Sequence, residues 1–469
     1  MSAALDLRSL ARTGPVHFMG ISGAGMSALA EVVLRAGGRV TGCDLKPGAV
    51  GDALRRLGAA IVEGHDPAHV TDAVALVTTS AVPQDHPELV EARQRGIPVL
   101  KRAEALGALV NRGEVLAVAG THGKTTTTAM AAAILEEAGL DPTAFVGGRV
   151  PAWGGGLRPG SDRLFVVEAD EYDRSFLRLR PRVAVVTTVE ADHLDIYGTY
   201  EGVQRAFEEF VAQVPEDGLV VACVDDPGAR RILETVGAPT VAYGFGAEAE
   251  LRAVEVRAAG TGSRVVVEWN GSPLGELTVA VPGEHNVRNA LGAFAAARHF
   301  GAGLEAAKRA LSAFRGVERR FQVLGEASGV VIVDDYAHHP SEIDATLAAA
   351  RRVYPERRLV AVFQPHLYTR TRDFAGDFGR SLAAADVVWV TDVYPAREAP
   401  IPGVNGGLVA DAVRDAGARE VHYHPRVETI PEALGEFLRP GDVCVLLGAG
   451  SITEAAHGLH GRLARGGAA

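Results

Sequence analysis

Residues 115–128 read Val-Leu-Ala-Val-Ala-Gly-Thr-His-Gly-Lys-Thr-Thr-Thr-Thr, the most informative segment in the middle of the chain. The apolar run predicts a buried strand, and the residues from Lys124 onward predict a helix. Backbone N–H groups and the dipole at such a helix N-terminus attract an anion, and Lys124 adds a full positive charge. Thr125 stands where a hydroxyl can ligate the Mg²⁺ that accompanies ATP. This pattern favours an ATP-phosphate loop over a plain Gly/Thr turn.

Length and composition set broad limits on the chain. Its 469 residues suggest about three domains. A net charge of −11 argues against nucleic acid or an anionic membrane as the main partner. We find neither a run of about 18 apolar residues nor a signal-peptide pattern, so we expect a cytoplasmic protein without a membrane partner. Cys43, Cys223 and Cys444 lie far apart in or beside apolar runs, which favours buried thiols over a disulfide or metal site.

The N-terminal part of the chain predicts a βαβ unit of nucleotide-binding type. An apolar run at 16–20 enters the loop 20–25, and Met26, Leu29 and Val33 then fall on one helix face. A second strand is expected over 39–44, ending at Asp44, and a third over 74–80. As a dinucleotide fingerprint the loop is weak, since Ser22 replaces the middle glycine.

Strands followed by polar clusters continue through the rest of the chain. In the middle, strands are expected over 164–167 and 183–186, with a hairpin at Asn270-Gly271 and a helix over 287–298. Beyond residue 316, strands over 330–333, 359–363, 387–390 and 443–447 alternate with helical stretches. That alternation predicts a parallel sheet, whose ligands bind outside the carboxyl ends of the strands.

Acidic residues crowd two of these predicted strand ends. They are Glu168, Asp170, Glu171, Asp173, Asp192 and Asp195, together with His193. Because Mg²⁺ usually takes only one or two carboxylates in addition to phosphates, most of these acids must cap helices, pair with arginines or face water. We expect at least one of them to ligate Mg²⁺.

Two further groups are candidates for ligand contacts. His285 and Asn289 open a helix, where they fit either an N-terminal cap or hydrogen bonds to a purine edge. Arg320 lies at a domain junction and Arg370 just past a predicted strand end. Arginine is suited to a bidentate grip on carboxylate or phosphate, although an isolated arginine is usually a solvated surface group.

Strings along nearly the whole chain resemble one known family, the Mur ligases. The strings are HFMGISGAGMSALA, GTHGKTTTT, EADEYDRSF, EADHLDIYGTY, PGEHNVRNA, RRFQVLGE, VDDYAHHPSEIDAT, FQPHLYTRTRDF, VYPAREAPIPGV and LGAGSI. The resemblance implies an α/β fold of three domains. They would be an N-terminal Rossmann-like UDP-binding domain (1–112), a central P-loop-type ATPase domain with an added antiparallel hairpin (113–315) and a C-terminal Rossmann-like amino-acid-binding domain (316–469).

The resemblance also implies an ATP- and Mg²⁺-dependent ligase of bacterial peptidoglycan synthesis. Its substrates would be UDP-N-acetylmuramate and L-alanine, and the enzyme would be a monomer or a weak homodimer. The residues implied at the UDP-sugar are Ser22, Gly23, Ala24, Gly25, Met26, Ser27, Asp44 and Ser80. Those implied at ATP are Gly120, Thr121, His122, Gly123, Lys124, Thr125, Thr126, His285, Asn289, Arg320 and Asp335. The metal ligands implied are Thr125, Glu168 and His193.

The last domain would hold the incoming amino acid through Tyr336, His338 and Arg370. The catalytic set implied by the resemblance is Lys124, His193, Arg320, His338 and Arg370. Two positions depart from the family pattern. Ser22 replaces a glycine of the diphosphate loop, and Leu367 replaces an arginine that many of these ligases carry, which leaves more to Arg370.

Three other functions compete with this interpretation. The nearest is the sister ligase that recycles wall peptide by joining a free tripeptide to UDP-N-acetylmuramate, with the same fold and ATP site. A dinucleotide-dependent oxidoreductase is suggested by residues 20–25 with Asp44, but the ATP loop argues against it. A non-catalytic regulator that binds UDP-sugars is disfavoured by the complete set of Lys124, Glu168 and His193.

Overall fold

The computed structural model describes residues 6–79 and 81–466 as three β-sheets with helices between their strands. The strands are β1 Val16–Met19, β2 Val40–Asp44, β3 Ala60–Glu63, β4 Ala75–Thr78, β5 Val99–Lys101, β6 Glu114–Ala119, β7 Thr143–Val150, β8 Gly155–Arg158, β9 Leu164–Glu168, β10 Val183–Val186, β11 Leu219–Cys223, β12 Thr240–Gly244, β13 Leu251–Ala259, β14 Gly262–Trp269, β15 Ser272–Val279, β16 Gln322–Ala327, β17 Val330–Asp335, β18 Arg358–Phe363, β19 Val387–Val390, β20 Val421–Tyr423 and β21 Asp442–Leu447.

The helices follow the same chain order. They are α1 Leu7–Thr13, α2 Ala24–Arg35, α3 Gly48–Arg56, α4 Pro87–Gln94, α5 Arg102–Val110, α6 Lys124–Glu137, α7 Leu194–Tyr197, α8 Tyr200–Val211, α9 Pro227–Thr235, α10 Glu284–His299, α11 Leu304–Ala313, α12 Pro340–Val353, α13 Tyr368–Leu382, α14 Gly406–Asp415, α15 Ile430–Phe437 and α16 Ile452–Gly466. Short 3₁₀ turns cover Pro67–Val70, Pro151–Trp153, Tyr172–Arg178 and Val427–Thr429. Among the described residues, no helix is both long and apolar enough to cross a lipid bilayer.

The chain divides into two compact units. The first runs to Glu255 and adds Val265–Leu277 and Arg288–Phe314. The second comprises Val256–Arg264, Thr278–Val287 and the residues from Arg315 onward.

The first sheet has the order β3-β2-β1-β4-β5, and all of its pairings are parallel. Met19, Cys43 and Leu76 pack from this sheet against Leu89 of α4 in one buried cluster. The third predicted strand is β4, the fourth in chain order, because β3 was missed. The sequence of β3 gives little signal, since Ile61 is the one buried residue of that strand.

The second sheet has the order β15-β14-β13-β12-β11-β10-β6-β9-β7-β8. Strands β10, β6 and β9 are parallel neighbours, so their carboxyl ends share one edge. The predicted hairpin turn is confirmed between β14 and β15. Asn270 and Gly271 have φ angles of 50° and 73°, the pair of positive angles that a two-residue turn between twisted strands requires.

The third sheet has the order β16-β17-β21-β18-β19-β20 and is parallel except for the β16–β17 pair. Alternate residues of β17 enter different cores. Val331 and Val333 pack with residues of α12, α13 and α14, whereas Val330 and Ile332 pack with residues of α15 and α16. Both faces are therefore covered by helices, and the predicted α/β fold with three sheet-based parts is confirmed.

Candidate active site

The phosphate loop of the first unit spans residues 120–123, between β6 and α6. Gly120 has a φ of 140°, and a Cβ atom there would lie 2.0 Å from Thr187 Oγ1. Gly123 precedes α6 with a φ of 82°, and a Cβ atom there would lie 2.5 Å from Asn289 Oδ1. Both positions need glycine for its backbone freedom and for the close approach of a neighbour. Since no side chain among the described residues caps α6, its first N–H groups suit an anion.

Lys124 is held at this loop by a buried carboxylate. Its Nζ donates to the carbonyl oxygens of Gly120 at 2.5 Å and Thr121 at 3.2 Å, and it lies 2.9 Å and 2.8 Å from the two carboxylate oxygens of Glu171. Burial alone would lower the pKa of Lys124, but Glu171 and Asp170 outweigh it and raise the pKa above the ordinary value. The loop therefore carries a full, positioned positive charge.

Hard oxygen donors stand next to this charge. The hydroxyl of Thr125 donates to Glu168 Oε1 at 3.0 Å, and the N–H of Gly147 donates to Glu168 Oε2 at 2.5 Å. A hydroxyl paired with a carboxylate at the start of a phosphate-binding helix is a donor set that suits Mg²⁺. These residues therefore fit the metal that the sequence implies.

His193 reaches the same strand edge in a strained backbone conformation. It has a φ of 52°, and its Nε2 lies 3.8 Å from Glu171 Oε1 and 3.8 Å from Asp192 Oδ2. Its ring packs edge-on against Tyr172, with the centroids 5.2 Å apart. The structure thus gathers Lys124, Thr125, Glu168 and His193 around Glu171 and the phosphate loop.

The adenine candidates lie on one helix. Asn289 is buried on α10 and faces Gly123 of the phosphate loop. His285 lies four residues earlier on α10, at a spacing that puts both side chains on one face of the helix. Within its own unit, His285 packs against Gly283, where a Cβ atom would lie 2.3 Å from His285 Cε1.

The loop after β1 carries the UDP-sugar candidates. The N–H of Ser22 donates to Asp44 Oδ2 at 3.0 Å, and Asp44 Oδ1 accepts from the N–H of Lys46 at 3.0 Å. Asp44 therefore braces the loop through its backbone. The hydroxyl oxygen of Ser22 is buried and has no hydrogen-bond partner within 6–79 and 81–466, so it suits a ligand.

The remaining members of this set lie at the start of α2. Gly23 precedes the helix, which begins at Ala24, and the hydroxyl of Ser27 donates to the carbonyl of Ala24 at 3.1 Å. Met26 is buried. Ser80 lies outside the described residues.

An open cleft connects this loop with Glu168. Its empty volume is about 470 Å³, and its lining includes Gly25, Leu29, Arg102, Phe145, Glu168 and Asp170. Arg102 crosses the cleft, with its Nη2 3.4 Å from Asp170 Oδ2. A Cβ atom on Gly25 would lie 3.0 Å from Arg102 Cδ, so glycine here leaves room for the guanidinium.

In the second unit, the predicted residues Arg320, Tyr336 and His338 form a connected row through Glu342. The Arg320 guanidinium lies 5.1 Å from the ring centroid of Tyr336 and 3.5 Å from Glu342 Oε1. His338 Nδ1 lies 3.1 Å from Glu342 Oε2, and the His338 ring is edge-on to Tyr336 at 5.3 Å.

His366 extends this row to Arg370. Its ring centroid lies 5.8 Å from that of His338, and its Nδ1 lies 3.4 Å from Arg370 Nη1. Arg370 is buried in the first turn of α13. This helix begins directly after Leu367, which has a φ of 68°. The predicted amino-acid residues are thus brought together through a histidine.

Asp335, the last residue of β17, holds the neighbouring backbone through hydrogen bonds. Its two oxygens accept the N–H groups of Phe321 at 2.7 Å and Ala337 at 2.8 Å. Burial raises the pKa of the Asp335 carboxyl to about 6, against the opposing effect of Arg320. Both oxygens are therefore occupied by backbone donors at the end of β17.

Three family models match the chain in order. They are the Mur ligase family catalytic domain at 15–114, the Mur ligase middle domain at 118–297 and the Mur ligase glutamate ligase domain at 319–450. The chain belongs to the Mur ligase family. The family resemblance predicted from the sequence is therefore confirmed.

Individual Mur ligases match over nearly their full length. A UDP-N-acetylmuramate–L-alanine ligase from Solidesulfovibrio magneticus is 48% identical over 439 residues, covering 94% of this chain and 96% of the relative. The crystal structure of a UDP-N-acetylmuramate–alanine ligase from Thermotoga maritima matches with a TM-score of 0.81 and 31% identity, covering 96% and 99% of the two chains. A murein peptide ligase from Psychrobacter arcticus matches with a TM-score of 0.70 and 26% identity, covering 96% and 99%.

Sequence reasoning missed three residues that contact the candidate site residues. Glu171 was one acid among several, and only its burial against Lys124 singles it out. Arg102 stands in no motif and reaches Asp170 through the fold. His366 was visible in Gln364-Pro365-His366 as a polar strand end, but its contact with Arg370 depends on the start of α13.

Proposed function

We propose that this Mur ligase joins L-alanine to the lactyl carboxylate of UDP-N-acetylmuramate at the expense of ATP, through an acyl phosphate, in the synthesis of peptidoglycan precursors. The observation that carries the proposal is the part-buried Lys124 at a glycine loop, beside Thr125 and Glu168. The full-length match to alanine-adding ligases supports the choice of amine. The cytoplasm, where ATP is available, is the compartment that fits this reaction.

We assign one substrate to each of three sequence segments. The UDP-sugar binds to 1–112, ATP to 113–315 and the amino acid to 316–469. In the first segment, Ser22 to Ser27 and Asp44 hold the UDP-sugar diphosphate, and the unpartnered Ser22 hydroxyl supplies a donor that a glycine would lack. The cleft beside Arg102 leads from this loop toward Glu168 and is the place for the lactyl carboxylate. A guanidinium in that cleft suits a carboxylate.

The central segment binds the nucleotide phosphates through Gly120 to Thr126. Thr125, Glu168 and His193 are the residues that would hold Mg²⁺, and when bound the metal neutralises the phosphate charge that repels the attacking carboxylate. Lys124 adds a charge fixed by Glu171, and such preorganised charge is usually the largest contribution to catalysis. His285 and Asn289 remain our candidates for the adenine.

The last segment binds the amino acid. Arg370 holds the alanine carboxylate, while Tyr336 and His338 shape a small pocket beside it. Arg320 serves the phosphates, and Asp335 orders the backbone next to the nucleoside. The lactyl carboxylate attacks the γ-phosphorus of ATP, the bond from that phosphorus to ADP breaks, and ADP leaves. The amine then attacks the acyl carbonyl and loses a proton, the bond from the acyl carbon to the phosphate oxygen breaks, and phosphate leaves.

An assay of ADP release tests this function. UDP-N-acetylmuramate and ATP are supplied with L-alanine, with glycine or L-serine, or with a free wall tripeptide, each as the sole amine. We expect L-alanine to give by far the highest kcat/KM. Preference for the tripeptide would assign the chain to the recycling reaction instead, and no ADP release with any amine would overturn the ligase assignment.

A further inference from the structure

A second group of metal-binding side chains lies in the first unit and uses none of the residues assigned above. His17 comes from β1, Cys43 from β2, His69 from the turn Pro67–Val70 and Glu88 from the first turn of α4. One nitrogen, sulfur or oxygen atom from each of the four lies within 4.8 Å of the others. His17, Cys43 and Glu88 are buried.

His17 points to a missing ligand within this group. Its ring is 1% exposed, and its Nδ1 lies 2.9 Å from Thr41 Oγ1. Its Nε2 is buried and has no hydrogen-bond partner in the part of the chain that the structure describes. Buried polar atoms are almost always paired, so an orphaned nitrogen needs an explanation. Metal-bound histidines typically use one ring nitrogen for the metal and the other for such an orienting contact.

Glu88 already contacts two other members of the group, Cys43 and His69. Its side chain is 0% exposed, its Oε2 accepts the thiol of Cys43 at 3.3 Å, and its Oε1 lies 2.9 Å from His69 Nδ1. The same Oε1 accepts the N–H of Asp66 at 3.0 Å, and Oε2 lies 3.4 Å from His65 Nδ1. Both oxygens of Glu88 therefore face donors from the elements packed around it.

The donor set matches Zn²⁺ better than Mg²⁺ or Ca²⁺. Thiolate and imidazole are soft or borderline ligands that select zinc, whereas the hard cations prefer oxygen alone. One thiolate and one carboxylate balance the two charges of the ion, so the buried site becomes neutral. Zinc-to-ligand distances of about 2.0–2.3 Å require the side chains to close by about 1 Å.

We propose that His17, Cys43, His69 and Glu88 form a structural Zn²⁺ site. On binding, the S–H bond of Cys43 breaks, a zinc–sulfur bond forms and the proton leaves. His65 is placed to accept that proton and pass it to water, since its Nδ1 lies 3.3 Å from Cys43 Sγ and its side chain is 26% exposed. No oxidation or reduction is involved.

The site would brace the neighbouring loop. The N–H of Ile21 donates to the carbonyl of Cys43 at 3.1 Å, and Asp44, the next residue, holds the N–H of Ser22. A metal that ties β1, β2 and α4 together therefore fixes the backbone from which the loop after β1 extends. We expect Zn²⁺ to raise the thermal unfolding midpoint of the full chain.

Cobalt substitution tests the proposal with the full chain. After removal of metals with a chelator, Co²⁺ is added and the spectrum recorded, and Zn²⁺ is then titrated in to displace it. We expect one equivalent of Co²⁺ to give a thiolate-to-cobalt charge-transfer band in the near ultraviolet, which Zn²⁺ abolishes. A Mg²⁺ site made of Thr125, Glu168 and His193 contains no thiol and cannot give this band.

Variants identify the ligands. Cys43→Ser should abolish the band, whereas Cys223→Ser and Cys444→Ser, which alter the other two buried free thiols, should keep it. His69→Gln changes a partly exposed side chain and should weaken Zn²⁺ binding by about 10-fold or more with the fold intact by circular dichroism. The proposal is overturned if wild type gives no band, if the band survives in Cys43→Ser, or if folded His69→Gln binds Zn²⁺ as wild type does.

Discussion

We expect turnover to depend most on Lys124. Its charge is part-buried at the phosphate loop, which is a different segment from the Ser22 loop that we assign to the UDP-sugar. Lys124→Ala should therefore lower kcat by about 10²–10³ while UDP-N-acetylmuramate binds nearly as in wild type. Steady-state kinetics and calorimetric titration with the UDP-sugar measure the two effects. Lys308→Ala, which changes an exposed lysine paired with Glu305, is the matched control and should behave as wild type. Near-normal kcat in Lys124→Ala would show that ATP binds elsewhere.

Arg370 tests the amino-acid site. A buried guanidinium that holds a carboxylate is worth about 2–5 kcal/mol when the pair is desolvated, so Arg370→Ala should raise the KM for L-alanine far more than that for ATP. Arg372→Ala removes an exposed arginine of the same helix, paired with Asp373, and should leave all three KM values unchanged. A defect confined to UDP-N-acetylmuramate would move Arg370 to the nucleotide sugar.

Asp335 gives the stability of the chain a pH dependence of defined sign. Its carboxyl pKa rises from 3.8 to about 6 on folding, so the folded state holds the proton more tightly than the unfolded state. The stabilisation of the folded state by the protonated Asp335 carboxyl is nearly complete below about pH 4 and is lost as the pH rises through about 6. Relative to Asp335→Asn, the free energy of unfolding of wild type should fall by about 2 kcal/mol between about pH 4 and pH 7. Urea unfolding of both proteins across this range measures the difference, and a flat or rising difference would contradict the assignment.

At the scale of elements, the phosphate loop and α6 offer a matched pair of glycines. Gly120 has a positive φ and a neighbour that a Cβ atom would strike, whereas Gly139, just beyond α6, has a φ of 77° and nothing within 4 Å. Gly139→Ala should cost only the left-handed strain of about 1–2 kcal/mol and keep its activity. Gly120→Ala should cost more and also lower kcat, because Thr187 or the loop must move. Equal stability and activity in the two variants would show that close approach at Gly120 is unimportant.

The same elements show how much the sequence could predict. Period-2 and apolar patterns predicted the buried strands, and Asn270-Gly271 predicted its turn, because these signals are local. The edge strand β3 was missed because burial of Ile61 alone leaves no pattern. Glu171, Arg102 and His366 were missed as site residues because their roles arise from contacts between elements far apart in the chain, such as that between Arg102 and Asp170.

At the scale of the whole molecule, positive charge has to be held at particular positions of a chain that is negative overall. The chain carries a net charge of −11, yet its proposed substrates include a triphosphate and carboxylates that repel one another. Lys124, Arg102, Arg320 and Arg370 are each fixed by an acid, a carbonyl or a ring, so the positive charge is placed where an anion would bind. Preorganised charge of this kind acts without reorganisation during the reaction.

Transfer of oxygen from the sugar to phosphate reports whether the lactyl carboxylate is activated as an acyl phosphate. UDP-N-acetylmuramate labelled with oxygen-18 in both lactyl carboxylate oxygens is converted with ATP and L-alanine, and the products are analysed by mass spectrometry. If the carboxylate is activated as an acyl phosphate, one labelled oxygen passes to inorganic phosphate and the other stays in the new amide. Unlabelled phosphate formed together with the amide product would show that the enzyme does not use an acyl phosphate.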